Sequence, residues 1–200
     1  MAAMSGSPPL SEIESGLFLG NDLTCRRPYS GRIESHEIKG VVSVLDMRFN
    51  AWRRDWYGAI IPESSHLYVP CNDNSTQDLL PELANICDFI DNARGPNQTS
   101  SVLVHCQQGR SRSATVVIAY LMRAHRWSLS KALEHVSGKR RIKPYDNFME
   151  QLRVWEAVGY DIWQADRTPK PEYAAYLRGR AERLQELGLT GNEPIGIQNL

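Results

Sequence analysis

Residues 105–113 read HCQQGRSRS, a cysteine, a glycine, two arginines and two serines within one short stretch. It lies between the apolar run Val102–Val104 and the longer run SATVVIAYLM (113–122). The first run predicts a buried strand and the second a buried helix, so Cys106 to Arg112 must be a strand-to-helix loop. Such a loop aims successive backbone N–H groups at one point with a helix N-terminus behind them, which makes an anion site. A helix N-terminus and a neighbouring guanidinium also favour the thiolate, the nucleophilic form of cysteine. A thiolate in an anion cradle suits attack on phosphorus. The amides of Gln107, Gln108, Gly109, Arg110, Ser111 and Arg112 would then hold phosphate oxygens. The planar Arg112 fork would grip two of them, which a lysine does not do. Ser113 would donate a hydrogen bond to the thiolate and help it leave in a second step. His105, at the end of the strand, is assigned support of the loop rather than proton transfer.

A lone cysteine is more often a small buried hydrophobe than a nucleophile, and Cys71 and Cys87 are read that way. The grouping of Cys, Gly, Arg and Ser between a strand and a helix separates Cys106 from them. Expelling a Ser, Thr or Tyr oxygen needs a proton, so a carboxylic acid should face the cysteine. The segment CNDNSTQDLL (71–80) offers two. Asp73 sits in a loop after a strand-like run. Asp78 directly precedes a helical pattern and reads as its N-cap.

The elements that must position these residues are visible as periodicities. GLFLG (16–20), VVSVL (41–45), HLYVPC (66–71) and SVLVHC (101–106) are four strand-like runs. Leu79, Leu83, Ile86 and Ile90 share one helical face over roughly residues 79–93, and GPN (95–97) turns the chain. Helices are expected from Ser113 to His125, from Ser128 to Val136 with Gly138 closing, and over about 146–158 with Gly159 closing. Strands alternating with helices give an α/β fold with a mostly parallel sheet flanked by helices, and ligands bind at the carboxyl ends of its strands. Residues 1–11 are small, polar and Pro-rich and are expected to be disordered. Residues 12–160 form the catalytic domain. Residues 161–200 form a linker (161–171) and a C-terminal helical extension, with Tyr173, Leu177, Leu184 and Leu187 as its apolar side.

Charge is balanced, 23 Lys+Arg against 23 Asp+Glu, which argues against a dedicated nucleic-acid binder. The four cysteines, Cys25, Cys71, Cys87 and Cys106, show no metal-ligand spacing, so no metal or other cofactor is expected. Few cysteines without repeated spacing suit a reducing compartment. No apolar run reaches about 18 residues, so no membrane partner is expected. The chain is read as soluble, cytoplasmic or nuclear, and the sequons at Asn74 and Asn97 as chance matches.

HCQQGRSRS resembles the signature of the cysteine-dependent protein phosphatases with Cys-x5-Arg, and AYLM (119–122) resembles their dual-specificity branch. The resemblance runs from about Ile13 to Tyr160 and includes GLFLGN and NFMEQL. FMEQLRVWEAVGYD and the YAAYL helix are most similar to the subgroup with a C-terminal zinc-binding domain, which acts in late maturation of the large ribosomal subunit. The resemblance implies a five-stranded protein tyrosine phosphatase-like sheet and a phosphocysteine intermediate. It also implies activity on phosphotyrosine and phosphoserine/threonine of a protein substrate, with a pre-ribosomal particle as partner. In the family the acid lies on the loop after this strand, which favours Asp73. The subgroup's zinc-binding cysteines are absent from these 200 residues, which are expected to be a truncated form or a shorter relative. Pro144-Tyr145-Asp146 also departs from the subgroup's Pro-Asn order, so capping of the next helix is expected to pass to Asp146.

Two further segments stay open at this level. GKRRIKP (138–144) reads as a solvated turn, a nuclear import signal or a rim for phosphosubstrate. FNAWRRDWYG (49–58) reads as a helix covering the sheet or as a partner surface. Two other functions compete with the enzyme. One is a ribosome-assembly binding factor whose catalysis is dispensable. The other is a phosphoinositide or glucan phosphatase, against which the lysine-free loop argues, although Arg110 adds one charge.

Overall fold

The structure, a computed structural model, describes residues 8–25, 35–46, 61–97 and 99–195. The segment 49–58 and residues 1–7 lie outside the described residues. Five strands, β1 (Leu10–Glu14), β2 (Leu17–Asn21), β3 (Ile38–Leu45), β4 (His66–Pro70) and β5 (Ser101–Cys106), form one sheet in the order β1-β2-β5-β3-β4. β1 is antiparallel to β2; the other three pairings are parallel. Five helices are described: α1 (Leu80–Arg94), α2 (Arg112–His125), α3 (Leu129–Lys139), α4 (Asp146–Ala157) and α5 (Pro171–Glu186). None of them is long and apolar enough to cross a membrane.

β5 has parallel neighbours on both sides, β2 and β3, and its residues Val102 to Cys106 are buried. That is why its sequence shows a continuous apolar run instead of alternation. Val102 and Val104 join Leu17, Leu19, Val42 and Val44 in the main core with apolar residues of all five helices. Leu103 points the other way, into a smaller cluster with Phe18, Ile38, Val41 and Ile61. The loop after β5 runs directly into α2, so the strand end and the helix start are both fixed by this core.

The strand that periodicity did not reveal is β1. It is five residues long, only Ser11 and Ile13 turn inward, and it sits at the sheet edge. Leu10 and Ser11 belong to it, inside the stretch expected to be disordered. Backbone and side-chain bonds to Pro9, from Asn21 N at 3.0 Å and Thr24 Oγ1 at 2.6 Å, fasten its start.

Three helix ends differ from expectation. α2 begins one residue earlier, at Arg112. Gly138 lies inside α3, which continues to Lys139 and stops where Arg140 turns extended and inward. Helix α5 buries Tyr173, Tyr176 and Leu184, while Leu177 is only partly buried. Leu187 lies beyond its last turn and is 58% exposed. The 161–171 stretch is an ordered turn, closed by a Trp163–Pro169 bridge and anchored by the buried Ile162.

Candidate active site

The carboxyl ends of β3, β4 and β5 meet at a cavity of about 350 Å³ lined by Asp46, Asp73, Cys106, Gln107, Gln108, Arg110, Ser111, Arg112 and Lys143. Cys106 lies at its base, 2% exposed. Two donors converge on the sulfur from behind, Gly109 N at 3.2 Å and Ser113 Oγ at 3.1 Å. Both donors point at the one atom that would attack a phosphate in the cavity.

The loop closes tightly enough to fix its glycine. Gly109 has φ +65°, and a Cβ there would lie 2.5 Å from the Gly20 carbonyl oxygen. Only a residue without a side chain brings the loop this close to β2. Arg140 props the same turn from outside. Its Nε donates to Gly109 O at 2.7 Å, and its other nitrogens reach Ser11 Oγ and the carbonyls of Pro8 and Gln108. The GKRRIKP segment is therefore no simple solvated turn. Arg140 is 3% exposed, and Lys143 turns to the cavity rim, with its amide bonded to Arg110 O at 2.9 Å.

Arg112 opens α2 and is 3% exposed. One terminal nitrogen donates to Cys71 O at 3.1 Å. Two carboxylates flank the guanidinium beyond hydrogen-bond range, Asp46 at 3.6 Å and Asp73 at 3.9 Å. Its Nε has no hydrogen-bond partner although it is buried. A buried cationic donor left unsatisfied is costly unless a ligand takes it, and an anion in this cavity would do so.

Of the two acids considered from sequence, the structure brings Asp73 to the cavity and not Asp78. Asp73 Oδ1 accepts a 2.5 Å hydrogen bond from Ser111 Oγ, and its side chain is 35% exposed. Ser111 Oγ in turn accepts from Tyr145 N at 3.0 Å. Asp78 lies at the start of α1, where Oδ1 accepts from Leu80 N at 3.1 Å and Oδ2 from Tyr173 OH at 2.8 Å. Burial pushes its carboxyl above the usual range, against the opposing pull of the Tyr173 bond. By backbone conformation the N-cap is Leu79, so Asp78 caps from one residue further out. Asp146 is the first residue of α4, whose N-cap Tyr145 makes no side-chain bond.

His105 is wholly buried, and burial lowers its imidazole to about 3. Its Nε2 lies 2.6 Å from Ser43 Oγ, which also contacts His66 Nε2 at 2.9 Å. A neutral imidazole in the sheet floor orients the strand end beneath Cys106 and has no route to carry a proton to the cavity. Cys71 and Cys87 are buried, and burial raises both thiols, Cys87 to about 12.

Sequence reasoning missed Asp46, and it offered Arg140 and Lys143 only as members of the GKRRIKP run, with a phosphosubstrate rim as one of its readings. Asp46 follows the VVSVL strand, and strand order alone would have shown it, because β3 pairs directly with β5. Arg140 and Lys143 carried no signal separating them from the rest of a basic run. Among the described residues no group of His, Cys, Asp or Glu could hold a metal ion.

A family model described as dual specificity phosphatase, catalytic domain, matches residues 28–158. The chain belongs to this family. The chain is 40% identical over 164 residues to the tyrosine-protein phosphatase yvh1 of Schizosaccharomyces pombe, covering 81% of this chain and 45% of that protein. It is 46% identical over 147 residues to human dual specificity protein phosphatase 16, covering 73% of this chain and 20% of that one. The chain thus spans less than half the length of either curated relative. Among solved structures it resembles the Yvh1 phosphatase domain from Chaetomium thermophilum, with TM-score 0.63 and 32% identity over 76% of this chain and 99% of that one. The five-stranded, mostly parallel sheet with its helices is the fold they share.

Proposed function

We propose that the chain hydrolyses phosphotyrosine and phosphoserine/threonine on proteins through a phosphocysteine intermediate. The observation that carries this reading is the convergence of Gly109 N and Ser113 Oγ on Cys106 Sγ, in a cavity where buried Arg112 keeps an unsatisfied donor. In the first step the Cys106 thiolate attacks phosphorus, the P–S bond forms and the P–O ester bond breaks. Asp73 gives its proton to the departing oxygen. Arg112 and the amides of Gln107 to Arg112 take the charge that gathers on the equatorial oxygens. In the second step water attacks phosphorus, Asp73 as carboxylate takes its proton, and the P–S bond breaks. Ser113 stabilises the thiolate as it leaves. Asp46, on the other flank of Arg112, orients the guanidinium. No metal or cofactor takes part.

The link to large-subunit maturation is a finer proposal, supported by the FMEQLRVWEAVGYD and YAAYL resemblance and the similarity to yvh1. A cytoplasmic and/or nuclear location and a pre-ribosomal particle as partner go with this proposal. Association with large-subunit precursors on a density gradient tests it, and migration only as free protein would count against it.

For the reaction itself, the decisive measurement compares turnover of phosphotyrosine peptide, phosphothreonine peptide and phosphoinositide with and without the Cys106→Ser change. Both peptides should be hydrolysed in the presence of chelator. The Cys106→Ser protein should be inactive yet folded, still binding phosphate. Turnover by Cys106→Ser near the unsubstituted rate, or activity restored only by added metal, would remove the phosphocysteine mechanism. A preference for the lipid over both peptides would remove the protein substrate.

A further inference from the structure

Residues 72–79, which carry Asp73, form neither strand nor helix. Some bonds within the segment shape it, chiefly Asn74 Oδ1 accepting from Thr76 N at 3.1 Å and Gln77 N at 2.8 Å. Its carbonyls are then claimed by two helices from the far end of the chain. From α4, Asn147 Nδ2 donates to Asn74 O at 3.1 Å and Gln77 O at 2.7 Å, and Gln151 Nε2 donates to Gln77 O at 2.8 Å. From α5, Arg180 Nε donates to Thr76 O at 2.6 Å and Tyr173 OH to Asp78 Oδ2 at 2.8 Å. Tyr176 OH reaches both Gln77 O at 3.3 Å and Asn147 Oδ1 at 3.0 Å. Tyr176 is 3% exposed and Asn147 5% exposed, so these bonds are shielded from water.

We infer that α5, which lies beyond the residues matched by the family model, is a positioning element for the acid step. Tyr176 and Arg180 hold the 72–79 loop so that Asp73 stays in the cavity where Cys106 attacks. The inference rests on Asp73 being the general acid. Neither residue touches the cavity. Each acts through the loop backbone, and Tyr176 also orients Asn147, the α4 side chain that clamps Asn74 and Gln77. Periodicity alone hides this role, since Tyr176 and Arg180 share one helical face with Tyr173, Leu177 and Leu184 and read there as part of a packing stripe. A displacement of about 1 Å in a positioned proton donor is enough to slow a reaction severely.

The consequence is selective. In the P–O cleavage step, loosening the loop should slow only those reactions whose leaving group needs the proton, and should leave phosphate binding intact. The test uses Tyr176→Phe, Arg180→Ala and the double variant in the full chain, with thermal midpoints recorded beside kinetics. Each is assayed on phenyl phosphate, whose leaving group needs protonation, and on dinitrophenyl phosphate, whose leaving group does not. For the double variant kcat/KM on phenyl phosphate, which reports the P–O cleavage step and not the later hydrolysis of phosphocysteine, should fall about tenfold, with kcat/KM on dinitrophenyl phosphate nearly unchanged. Arg180→Lys, which keeps one donor toward Thr76 O, should recover part of the loss. In an Asp73→Asn background the double variant should cost nothing further, because the group being positioned is gone. An equal loss on both substrates, no loss at all, or an undiminished loss on top of Asp73→Asn would each overturn the inference and leave α5 as packing alone. If Asp73→Asn by itself turns over phenyl phosphate at the unsubstituted rate, the assignment of the acid falls first and this inference with it.

Discussion

Between Cys106 and Arg112 the bonds to the nucleophile come from neighbours in sequence, while Arg140 and Lys143 brace the loop carbonyls from outside. A central strand delivers the loop, α2 receives it, and the bonds to the sulfur come from three and seven residues away. Between Asn72 and Leu79, in contrast, side chains of α4 and α5 from 70 to 104 residues away hold the backbone. Both loops line one cavity, yet one is a local motif braced from outside and the other is a tertiary assembly throughout. The phosphate loop must hold a fixed charge geometry through both chemical steps, which suits short connections to a rigid sheet. The acid loop must place one proton, so it can be held, and adjusted, from elsewhere in the molecule.

The largest separation of the two loops should come from Arg112→Lys. A point charge cannot reproduce the two-oxygen grip, and an arginine that stabilises a phosphoryl transition state is worth about 10³–10⁵ in kcat. The loss should appear on every substrate, whatever its leaving group, in steady-state kinetics. A loss restricted to poor leaving groups would mean that the two loops do not divide the work as described.

Asp73→Asn should cost about 10²–10⁴ in kcat/KM on substrates with poor leaving groups, and much less in kcat/KM on dinitrophenyl phosphate. The basic limb of the pH–rate profile should flatten. Asp78→Asn should leave the profile unchanged, since Asp78 is bonded to Leu80 and Tyr173 and lies off the cavity. The reverse pattern would exchange their roles.

Gly109→Ala tests the local construction of the phosphate loop. It combines a left-handed backbone with a Cβ driven into the Gly20 carbonyl, which should lower stability by about 2–4 kcal/mol. Urea unfolding measures it, and a near-neutral change would show that the loop can move away from β2.

The smallest effect is a pH dependence confined to the sheet floor. Burial holds His105 at about 3 and His66 at about 4 in the fold, against an ordinary 6.5. Unfolding therefore takes up protons, so their contribution is present above about pH 6.5 and is lost progressively as pH falls toward the folded values. The urea midpoint should drop between about pH 7 and about pH 5, and His66→Gln should shallow that slope. A flat profile would mean that neither imidazole is held neutral.

The amino-acid sequence alone pointed to Cys106 as the candidate nucleophile, to the loop after it and to the strand and helix on either side. These are contiguous, and their chemistry needs particular residue types at fixed spacing. It also showed the main helices, because a buried face imposes a 3.6-residue period. Tertiary structure decided the rest. β1 is too short and too edge-bound for a periodic signal, and Gly138 could not stop α3 while Arg140 was drawn inward to the phosphate loop. Strand order placed Asp46 beside Arg112, which no spacing along the chain records. Tyr176 outranks Leu187 on α5 because its hydroxyl meets a carbonyl 99 residues upstream. Hydrogen bonds between distant segments leave no periodicity in either segment, so the position of the acid loop became visible only when the chain was folded.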